Sequence, residues 1–353
     1  MTPTNRPGPP PSAPRQRVAR LAPSPTGRLH LGNLSSALLA WTHARATGAR
    51  LLLRIEDLDP PRVVPGADRA LMHDLRRLGI EWDAGPDGDR TADDRQWYQS
   101  ERSAVYRMAL AELDRRGLVY RCFCSRRDIS EALSAPHARR RPRRAYPGTC
   151  SRIADDVARQ RARAEPFAWR FRARGALRLD DGVAGPLNAR LEDDPGDFVI
   201  ARKDGLFAYQ LAVVVDDAAM GVTDVLRGRD LLDSALRQAA LFDALDAQRP
   251  TFWHVPLLLD EHGERLSKRR RDISLDGLLD SGWTPATLRG ALAWLWGWTD
   301  DLDAIAPEAL PRLWTPIPLN RPSIRVPDAL FEGPDALIAG SRRITPHPRD
   351  NCP

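Results

Sequence analysis

Cysteine is scarce in this sequence, which has four cysteines among 353 residues. A secreted disulfide framework normally has an even set of cysteines spread along a short chain. Here three of the four fall within residues 122 to 150, and the fourth is Cys352 near the C-terminus. The sequence therefore argues against a disulfide-stapled extracellular module, and the cluster points to metal or redox chemistry.

Long apolar runs are also absent. Arg or Asp interrupts the most hydrophobic stretches within a few positions, so none reaches the roughly 18 apolar residues of a membrane span. Residues 1–17 are rich in Pro and basic residues and lack the apolar segment of a secretory signal. We expect a disordered leader at 1–17, a cytoplasmic location and no membrane association.

Charge of one sign is not in large excess. Lys and Arg total 53 against 47 Asp and Glu, which gives a formal net charge of +6 and a pI near 9.5. This balance is compatible with a polyanionic partner such as RNA. Because much of the positive charge is arginine, a solvated surface explains it equally well. Composition leaves the partner open.

The first sixty residues contain a strand, helix and strand in succession. An apolar stretch closed by Pro (17–24) precedes an Ala/Leu-rich helical pattern ending in Gly (34–48), and a buried-type strand ending in acidic residues follows (49–61). This order is typical of a βαβ unit and a parallel sheet. We predict an α/β fold with a Rossmann-like nucleotide-binding core, whose ligand edge lies at the C-terminal ends of the strands.

Later segments repeat these two periodicities. Helical spacing recurs at 66–79, 103–116, 231–246 and 273–298. Strand-like patterns recur at 167–173, 197–217 and 250–259. On the helix at 103–116, one core-facing side is predicted to carry Val105, Tyr106, Ala109, Leu110 and Leu113. Residues 301–353 are Pro-rich and show no periodicity.

Two short stretches are suited to phosphate chemistry. In TGRLHLGN (26–33), the turn at Gly27 brings His30 and Asn33 to the first turn of a helix, where free N–H groups and the helix dipole favour an anion. In ERLSKRR (264–270), Lys268 follows an apolar strand on a basic loop suited to holding a pyrophosphate.

Together these stretches resemble the two signature motifs of class I aminoacyl-tRNA synthetases. RLAPSPTGRLHLGN with RIEDLDPPR is similar to the glutamyl subclass, and the resemblance covers about residues 18–300. Three positions depart from the family's usual residues: Leu266 stands for Met, Arg269 for Ser and Asn33 for a second His. The resemblance implies catalytic roles for His30, Asn33 and Lys268, and binding of ATP, expected with Mg²⁺, by His30, Gly32, Asn33 and Lys268.

Glutamate activation requires a cation for the substrate carboxylate and an acid for its ammonium. The resemblance implies that Arg20 and Arg227 bind the carboxylate and that Glu56 binds the ammonium; Arg229 is a rival to Arg227. Strand alternation turns Arg54 and Asp57 away, so ion pairing is their alternative role. The implied glutamate-binding set is Arg20, Leu21, Ala22, Pro23, Ser24, Glu56, Tyr209 and Arg227.

The cysteine cluster has the composition of a zinc site. Three thiolates hold zinc well, although no fourth Cys or His stands at ordinary spacing, and a reduced thiol cluster is the alternative. Short glutamyl-synthetase paralogues carry a zinc site with a CxC pair and a YxxxC spacing, which implies structural Zn²⁺ ligation by Cys122, Cys124, Tyr146 and Cys150. His137 competes with Tyr146 as fourth ligand. The run Arg139–Arg144 is suited either to RNA phosphates or to a solvated loop.

The predicted organisation follows from these features. We expect a leader (1–17), a split catalytic domain (18–120 and 196–270), a small zinc-containing acceptor-type insertion (121–195), a helical region (271–300) and a Pro-rich segment (301–353). Too few residues follow Lys268 for a large anticodon-binding region. The resemblance is therefore closest to the short paralogues, and the implied activity is ATP-dependent activation of L-glutamate and its transfer to queuosine at the wobble position of tRNA(Asp), by a monomer.

Three rival hypotheses remain at this stage. A truncated glutamyl-tRNA synthetase would charge the tRNA 3′ end instead of the queuosine base. A small-molecule ligase would adenylate an acid for an acceptor other than RNA, although RIEDLD and LRGRD argue against it. An inactive RNA- or zinc-binding module would lack glutamate-dependent ATP–pyrophosphate exchange.

Overall fold

The structure is a computed structural model that describes residues 16–88, 91–125, 127–129, 146–266 and 274–341. Its strands, in chain order, are β1 (Val18–Leu21), β2 (Arg50–Leu53), β3 (Val119–Cys122), β4 (Ala168–Phe171), β5 (Ala176–Asp181), β6 (Gly185–Arg190), β7 (Phe198–Ala201), β8 (Asp224–Gly228), β9 (Thr251–Val255), β10 (Leu257–Leu259) and β11 (Ser323–Arg325). Its α-helices are α1 (Leu31–Thr47), α2 (Ala67–Arg77), α3 (Ser103–Arg115), α4 (Asp155–Arg161), α5 (Tyr209–Ala219), α6 (Leu232–Ala244), α7 (Leu275–Asp280), α8 (Pro285–Trp296), α9 (Leu310–Leu313), α10 (Ala329–Glu332) and α11 (Pro334–Ser341).

A four-stranded parallel sheet forms the centre of the molecule. Its strand order is β2-β1-β8-β9, and Ala19 faces Leu51 on one side and Asp224 on the other. The α1 helix packs against β1 and β8. The predicted α/β class and the opening βαβ unit are thus confirmed. Because all four strands run the same way, the loops after β1 and β8 lie at the same edge of the sheet.

The chain between β2 and β8 forms a second β layer. Strands β3, β4 and β7 make an antiparallel sheet in that order, and β5 pairs with β6 as an antiparallel hairpin. The predicted insertion ends at residue 195. Strand β7, which begins at Phe198, nevertheless belongs to the same sheet as β3 and β4. The hairpin also packs against β9, so the second layer is joined to the central sheet.

One predicted strand is wrong in its second half. Of residues 197–217, only Phe198–Ala201 are a strand, and Tyr209–Ala219 form α5. The β-branched run Val213 to Val215 is buried on every side, which removes the polar face of an ordinary surface helix. A short, fully apolar run does not distinguish a buried strand from a buried helix.

The core-facing side predicted for α3 needs one correction. Tyr106 and Leu113 are buried as expected, whereas Val105 is 38% exposed. Adjacent side chains on a helix point about 100° apart. Because Tyr106 lies at the centre of the buried face, Val105 lies at its edge.

The Pro-rich segment also contains more structure than its sequence indicates. It forms α9, β11, α10 and α11, and β11 pairs in parallel with β10, Leu258 facing Ile324. Leu310, Leu319, Leu330 and Leu337 are buried in the same core as α1. Elements of three to eight residues are too short to show a helical or strand periodicity in the sequence, so the sequence does not predict them.

No helix in the described ranges combines the length and the apolar character that a bilayer crossing requires.

Candidate active site

A cavity of about 290 Å³ lies at the C-terminal edge of the parallel sheet. Its walls come from the loop after β1, the first turn of α1 and the end of β8. Of the residues predicted to bind ATP or glutamate, those that line it are Arg20, Leu21, Ala22, Pro23, His30, Gly32, Asn33 and Arg227. Parallel strands bring these distant positions together because their C-terminal ends share one edge.

His30 is the N-cap of α1. Its Nδ1 accepts hydrogen bonds from the backbone N–H groups of Gly32 at 3.1 Å and Asn33 at 3.4 Å. A Cβ at Gly32 would lie 3.0 Å from the His30 ring, so glycine permits this close approach. Burial lowers the pKa of His30, which keeps the ring neutral. With Nδ1 accepting, the proton of the neutral ring is on Nε2, which can donate to a ligand.

Arg20 is a buried cation whose guanidinium is only partly satisfied. Its side chain is 5% exposed, and the nearest carboxylate is that of Asp217, with Nε and Oδ1 3.5 Å apart. Within the described part of the chain, Nε has no hydrogen-bond partner. A buried guanidinium in this state favours binding of an anionic ligand, because buried donors without hydrogen bonds cost free energy.

Arg227 lines the same cavity from the neighbouring strand β8 and makes hydrogen bonds to three protein groups. Its Nε donates to His254 Nε2 at 3.0 Å, one Nη to the Tyr209 hydroxyl at 3.3 Å, and the other to the Leu231 carbonyl at 3.3 Å. Burial lowers the pKa of Arg227 from its high ordinary value. Of five guanidinium N–H groups, two remain for a ligand. Arg229, the rival, does not line the cavity.

Glu56 follows β2 beside a buried arginine. Arg54 donates to Glu56 at 3.2 Å and to Asp217 at 2.7 Å, so the ion pairing considered for Arg54 is confirmed. Asp57 turns instead to Ser100, accepting from its backbone N–H and hydroxyl. Burial raises the pKa of Glu56, and Arg54 opposes that shift.

Three predicted glutamate ligands, Ser24, Glu56 and Tyr209, lie off the cavity wall. Tyr209 begins α5 and reaches the site through its hydrogen bond to Arg227; burial raises the pKa of its hydroxyl. Ser24 is exposed, and its carbonyl accepts from the backbone of Thr26 within the turn after β1.

Lys268 lies outside the described residues, as do residues 267–273 as a whole. Leu266 lines the cavity, and Ser274 forms a β-bridge with His30. Asp276, two residues further, pairs with Arg28 of the same HLGN-bearing loop at 2.5 Å. The basic loop therefore leaves and rejoins the described chain next to His30.

The cysteine cluster is assembled at the end of β3. The sulfur atoms of Cys122, Cys124 and Cys150 lie within 4.8 Å of one another. The Tyr146 hydroxyl is 3.4 Å from the first sulfur and 3.3 Å from the second. Sulfurs about 2.3 Å from a tetrahedral ion would be a little under 4 Å apart, so the donor set fits zinc. His137 and Arg139–Arg144 fall outside the described residues.

Several buried charges around the cavity were missed by sequence reasoning. Asp217 lies between Arg20 and Arg54, while Asp181 and His254 stand behind Arg227. The sequence predicts Asp217 at the end of a strand. In the structure it lies on α5, where its carboxylate pairs with Arg20 and Arg54. The signal that could have found it is the VVVDD run, since a buried carboxylate needs a buried cation.

The family model for class I tRNA synthetases (E and Q), catalytic domain, matches residues 17–306. A protein of Symbiobacterium thermophilum named glutamyl-Q tRNA(Asp) synthetase is 44% identical over 310 residues, covering 87% of this chain and 95% of the relative. Glutamate–tRNA ligase 1 of Halorhodospira halophila is 40% identical over 334 residues, covering 93% and 69%.

A solved structure supports the same fold. The glutamate tRNA ligase of Elizabethkingia meningosepticum aligns with a TM-score of 0.74 at 24% identity, covering 90% of this chain and 68% of that one. The family match spans most of the chain, and the cavity lies where such a sheet binds its ligand. This chain therefore belongs to the class I tRNA synthetases of the glutamyl and glutaminyl type, a family of ligases.

Proposed function

We propose that this chain activates L-glutamate with ATP and transfers the glutamyl group to queuosine at the wobble position of tRNA(Asp). The observation that carries the amino-acid assignment is the pair of buried arginines, Arg20 and Arg227, on one cavity whose other wall is the N-terminus of α1. Two guanidinium groups select an acidic side chain, and the helix terminus suits a phosphate.

In the first step the α-carboxylate of glutamate attacks the α-phosphorus of ATP. A new bond joins carboxylate oxygen and phosphorus, the bond from phosphorus to the pyrophosphate oxygen breaks, and glutamyl-adenylate forms. Nε2–H of His30 donates to phosphate oxygens as charge develops there, and Asn33 and Lys268 share that role. We expect ATP to enter with Mg²⁺, which offsets the triphosphate charge.

Glutamate is held at both ends in this scheme. The free N–H groups of Arg20 and Arg227 bind the side-chain carboxylate, with Leu21, Ala22 and Pro23 forming the adjacent wall. Glu56 binds the α-ammonium, for which it has to be ionised. Arg54 supports the ionised form against the cost of burial. Tyr209 fixes the Arg227 guanidinium from the other side.

In the second step a hydroxyl of the queuosine cyclopentene ring attacks the mixed anhydride. The carbonyl carbon gains an ester bond to that oxygen, and the bond between the carbonyl carbon and the phosphate oxygen breaks. AMP leaves with the electron pair of the broken bond, and the hydroxyl proton passes to solvent. This chain aligns with 95% of the length of the relative named for this activity, but with only 69% of the length of glutamate–tRNA ligase 1. These names and coverages support queuosine as the acceptor.

We assign a structural zinc to Cys122, Cys124, Cys150 and Tyr146. Bound there, the ion would cross-link the end of β3 to the turn at Cys150–Arg152. Arg170 donates to the Cys122 sulfur at 3.2 Å and lies over the Tyr146 ring, which supports anionic ligands at this point. The ion takes no part in either chemical step.

The test uses the full chain in two assays. ATP–pyrophosphate exchange should depend on glutamate and should be weak with glutamine or aspartate. Radiolabelled glutamate should then transfer to tRNA(Asp) that carries queuosine, but not to the same tRNA lacking it or to tRNA(Glu). Enzymatic removal of the 3′-terminal adenosine before the reaction should leave labelling unchanged. Label that requires an intact 3′ end would instead show a glutamate–tRNA ligase, and no exchange would refute glutamate activation.

A further inference from the structure

Behind Arg227 lies a fully buried pair of ionisable side chains. His254 on β9 and Asp181 at the end of β5 each have a side chain that is 0% exposed, and Nδ1 and Oδ2 are 2.5 Å apart. On its other side, His254 Nε2 accepts from Arg227 Nε at 3.0 Å. The three side chains form a continuous line from the β5–β6 hairpin to the cavity.

The hairpin is built to bring Asp181 to this point. Gly182 N–H donates to the Phe252 carbonyl at 2.8 Å, and His254 N–H donates to Asp181 Oδ1 at 3.1 Å. A Cβ at Gly182 would lie 2.1 Å from the Trp253 ring. Only glycine lets the turn approach β9 this closely.

The hydrogen bonds fix which nitrogen of His254 carries its proton. Hydrogen bonds from His254 and Ala184 outweigh burial and hold the pKa of Asp181 below its usual range, so Asp181 is ionised and accepts only. Nδ1 therefore donates to it. Burial lowers the pKa of His254, which leaves Nε2 without a proton and free to accept from Arg227.

We propose that Asp181 and His254 are positioning residues that orient the Arg227 guanidinium toward the carboxylate of glutamate. By taking up Nε–H, His254 fixes the plane of the guanidinium, and the remaining N–H groups then point in a set direction. Asp181 acts through His254 by holding its tautomer. This inference rests on the proposed glutamate-activating function, and it assigns the β5–β6 hairpin a part in amino-acid recognition.

A second buried histidine–aspartate pair, between α1 and the start of β8, is available for comparison. His43 on α1 is 1% exposed and its Nε2 lies 3.3 Å from Asp224 Oδ1, yet it does not line the cavity. His43→Leu removes a buried His–Asp contact of the same type without touching Arg227. It is therefore the matched control for His254→Leu.

The experiment measures KM for glutamate, KM for ATP and kcat in pyrophosphate exchange for each variant. His254→Leu should raise KM for glutamate about ten- to a hundredfold, since it removes a hydrogen bond to a charged group, and should leave KM for ATP within about twofold. His254→Gln, whose amide oxygen can replace Nε2, should recover most of the loss. Asp181→Asn should raise KM for glutamate about tenfold, and His43→Leu should leave it unchanged.

The outcomes separate the two proposals. If the wild-type chain shows no glutamate-dependent exchange, the proposed function fails and this inference with it. If the wild-type chain is active and KM for glutamate in His254→Leu stays within twofold, the positioning role alone is refuted. Equal rises in both KM values, or His254→Gln as impaired as His254→Leu, would show a structural role only. Should His254→Leu fail to fold, His254→Gln and Asp181→Asn carry the comparison.

Discussion

At the scale of single residues, the two buried arginines of the site differ in how many of their N–H groups already have protein partners. Arg227 gives three hydrogen bonds to protein groups, whereas Nε of Arg20 has no hydrogen-bond partner in the described chain and its ion pair with Asp217 spans 3.5 Å. The two arginines therefore differ in what a ligand adds. A carboxylate entering the cavity completes the coordination of Arg20 and makes only the last contacts of Arg227.

Replacing Arg20 should affect glutamate far more than ATP. Arg20→Gln is expected to raise KM for glutamate about a hundredfold, because a charge-assisted hydrogen bond and its cation are lost together. Arg20→Lys should recover little, since an ammonium lacks the planar fork. Pyrophosphate exchange at varied glutamate and ATP gives both constants. An unchanged KM for glutamate in Arg20→Gln would contradict the assignment.

The two roles assigned to His30, N-cap and proposed phosphate donor, can be separated by substitution. As N-cap it satisfies backbone donors of α1, and it also lines the cavity. His30→Asn keeps a good N-cap but lacks the Nε2 donor, so thermal stability should hold while kcat of exchange falls about a hundred- to a thousandfold. His30→Ala should lose both. If His30→Asn kept wild-type kcat, Nε2 would have no catalytic role.

At the scale of elements, the site depends on the ends of strands and helices. The β1 strand delivers Arg20, β8 delivers Arg227 and α1 begins at the cavity. The chain on both sides of the basic loop is tied to the same place, through Leu266 at the cavity and Ser274 beside His30. The start of α1 is thus in direct contact with the residue that follows the basic loop.

The cysteine cluster is a junction between elements, and metal content tests it. Purified protein should contain about one zinc per chain, and Cys150→Ser should lose it and melt at lower temperature, because thiolate ligation contributes folding energy. Tyr146→Phe should keep the ion at lower affinity. Elemental analysis with a chelator titration measures both. Cys352→Ser is the control and should keep full zinc; a zinc-free wild type that melts unchanged with chelator would refute the site.

At the scale of the whole molecule, the C-terminal segment belongs to the catalytic core. Leu330 and Leu337 share a hydrophobic cluster with Leu34 and Leu38 of α1. The backbone adds to this, since Trp283 Nε1 donates to the Leu330 carbonyl at 2.9 Å, and β11 pairs with β10 next to the cavity. Stability of the segment and stability of the site are therefore coupled.

Neighbouring residues of α11 provide a matched test of this coupling. Leu337 is 1% exposed and Ile338 is 45% exposed. Leu337→Ala should lower the free energy of unfolding of the whole chain by about 2 to 5 kcal/mol, and Ile338→Ala by about 1 kcal/mol or less. Urea unfolding monitored by tryptophan fluorescence measures both. Equal small losses would show that the segment is not part of the core.

Much of the site could be read from local patterns. The sequence predicts β1, the helix that follows it and His30 at its start, because turn, cap and apolar period are set by residues close in the chain. The three clustered cysteines likewise point to metal or redox chemistry, and the family resemblance implies that the metal is zinc. Nothing local, however, distinguishes α5 from a strand, because Val213 to Val215 are buried all round.

Besides a separate cluster of thiols, the sequence by itself determined the chemistry of the cavity walls: two arginines, and an imidazole and an amide at a helix start. Only the tertiary structure decided which buried charges stand behind them. Asp181 and His254 are 73 positions apart, and Asp217 is 163 positions from Arg54. Such pairings depend on the order of the strands and on how the hairpin packs against the sheet. These are contacts between distant segments, so no local pattern in the sequence predicts them.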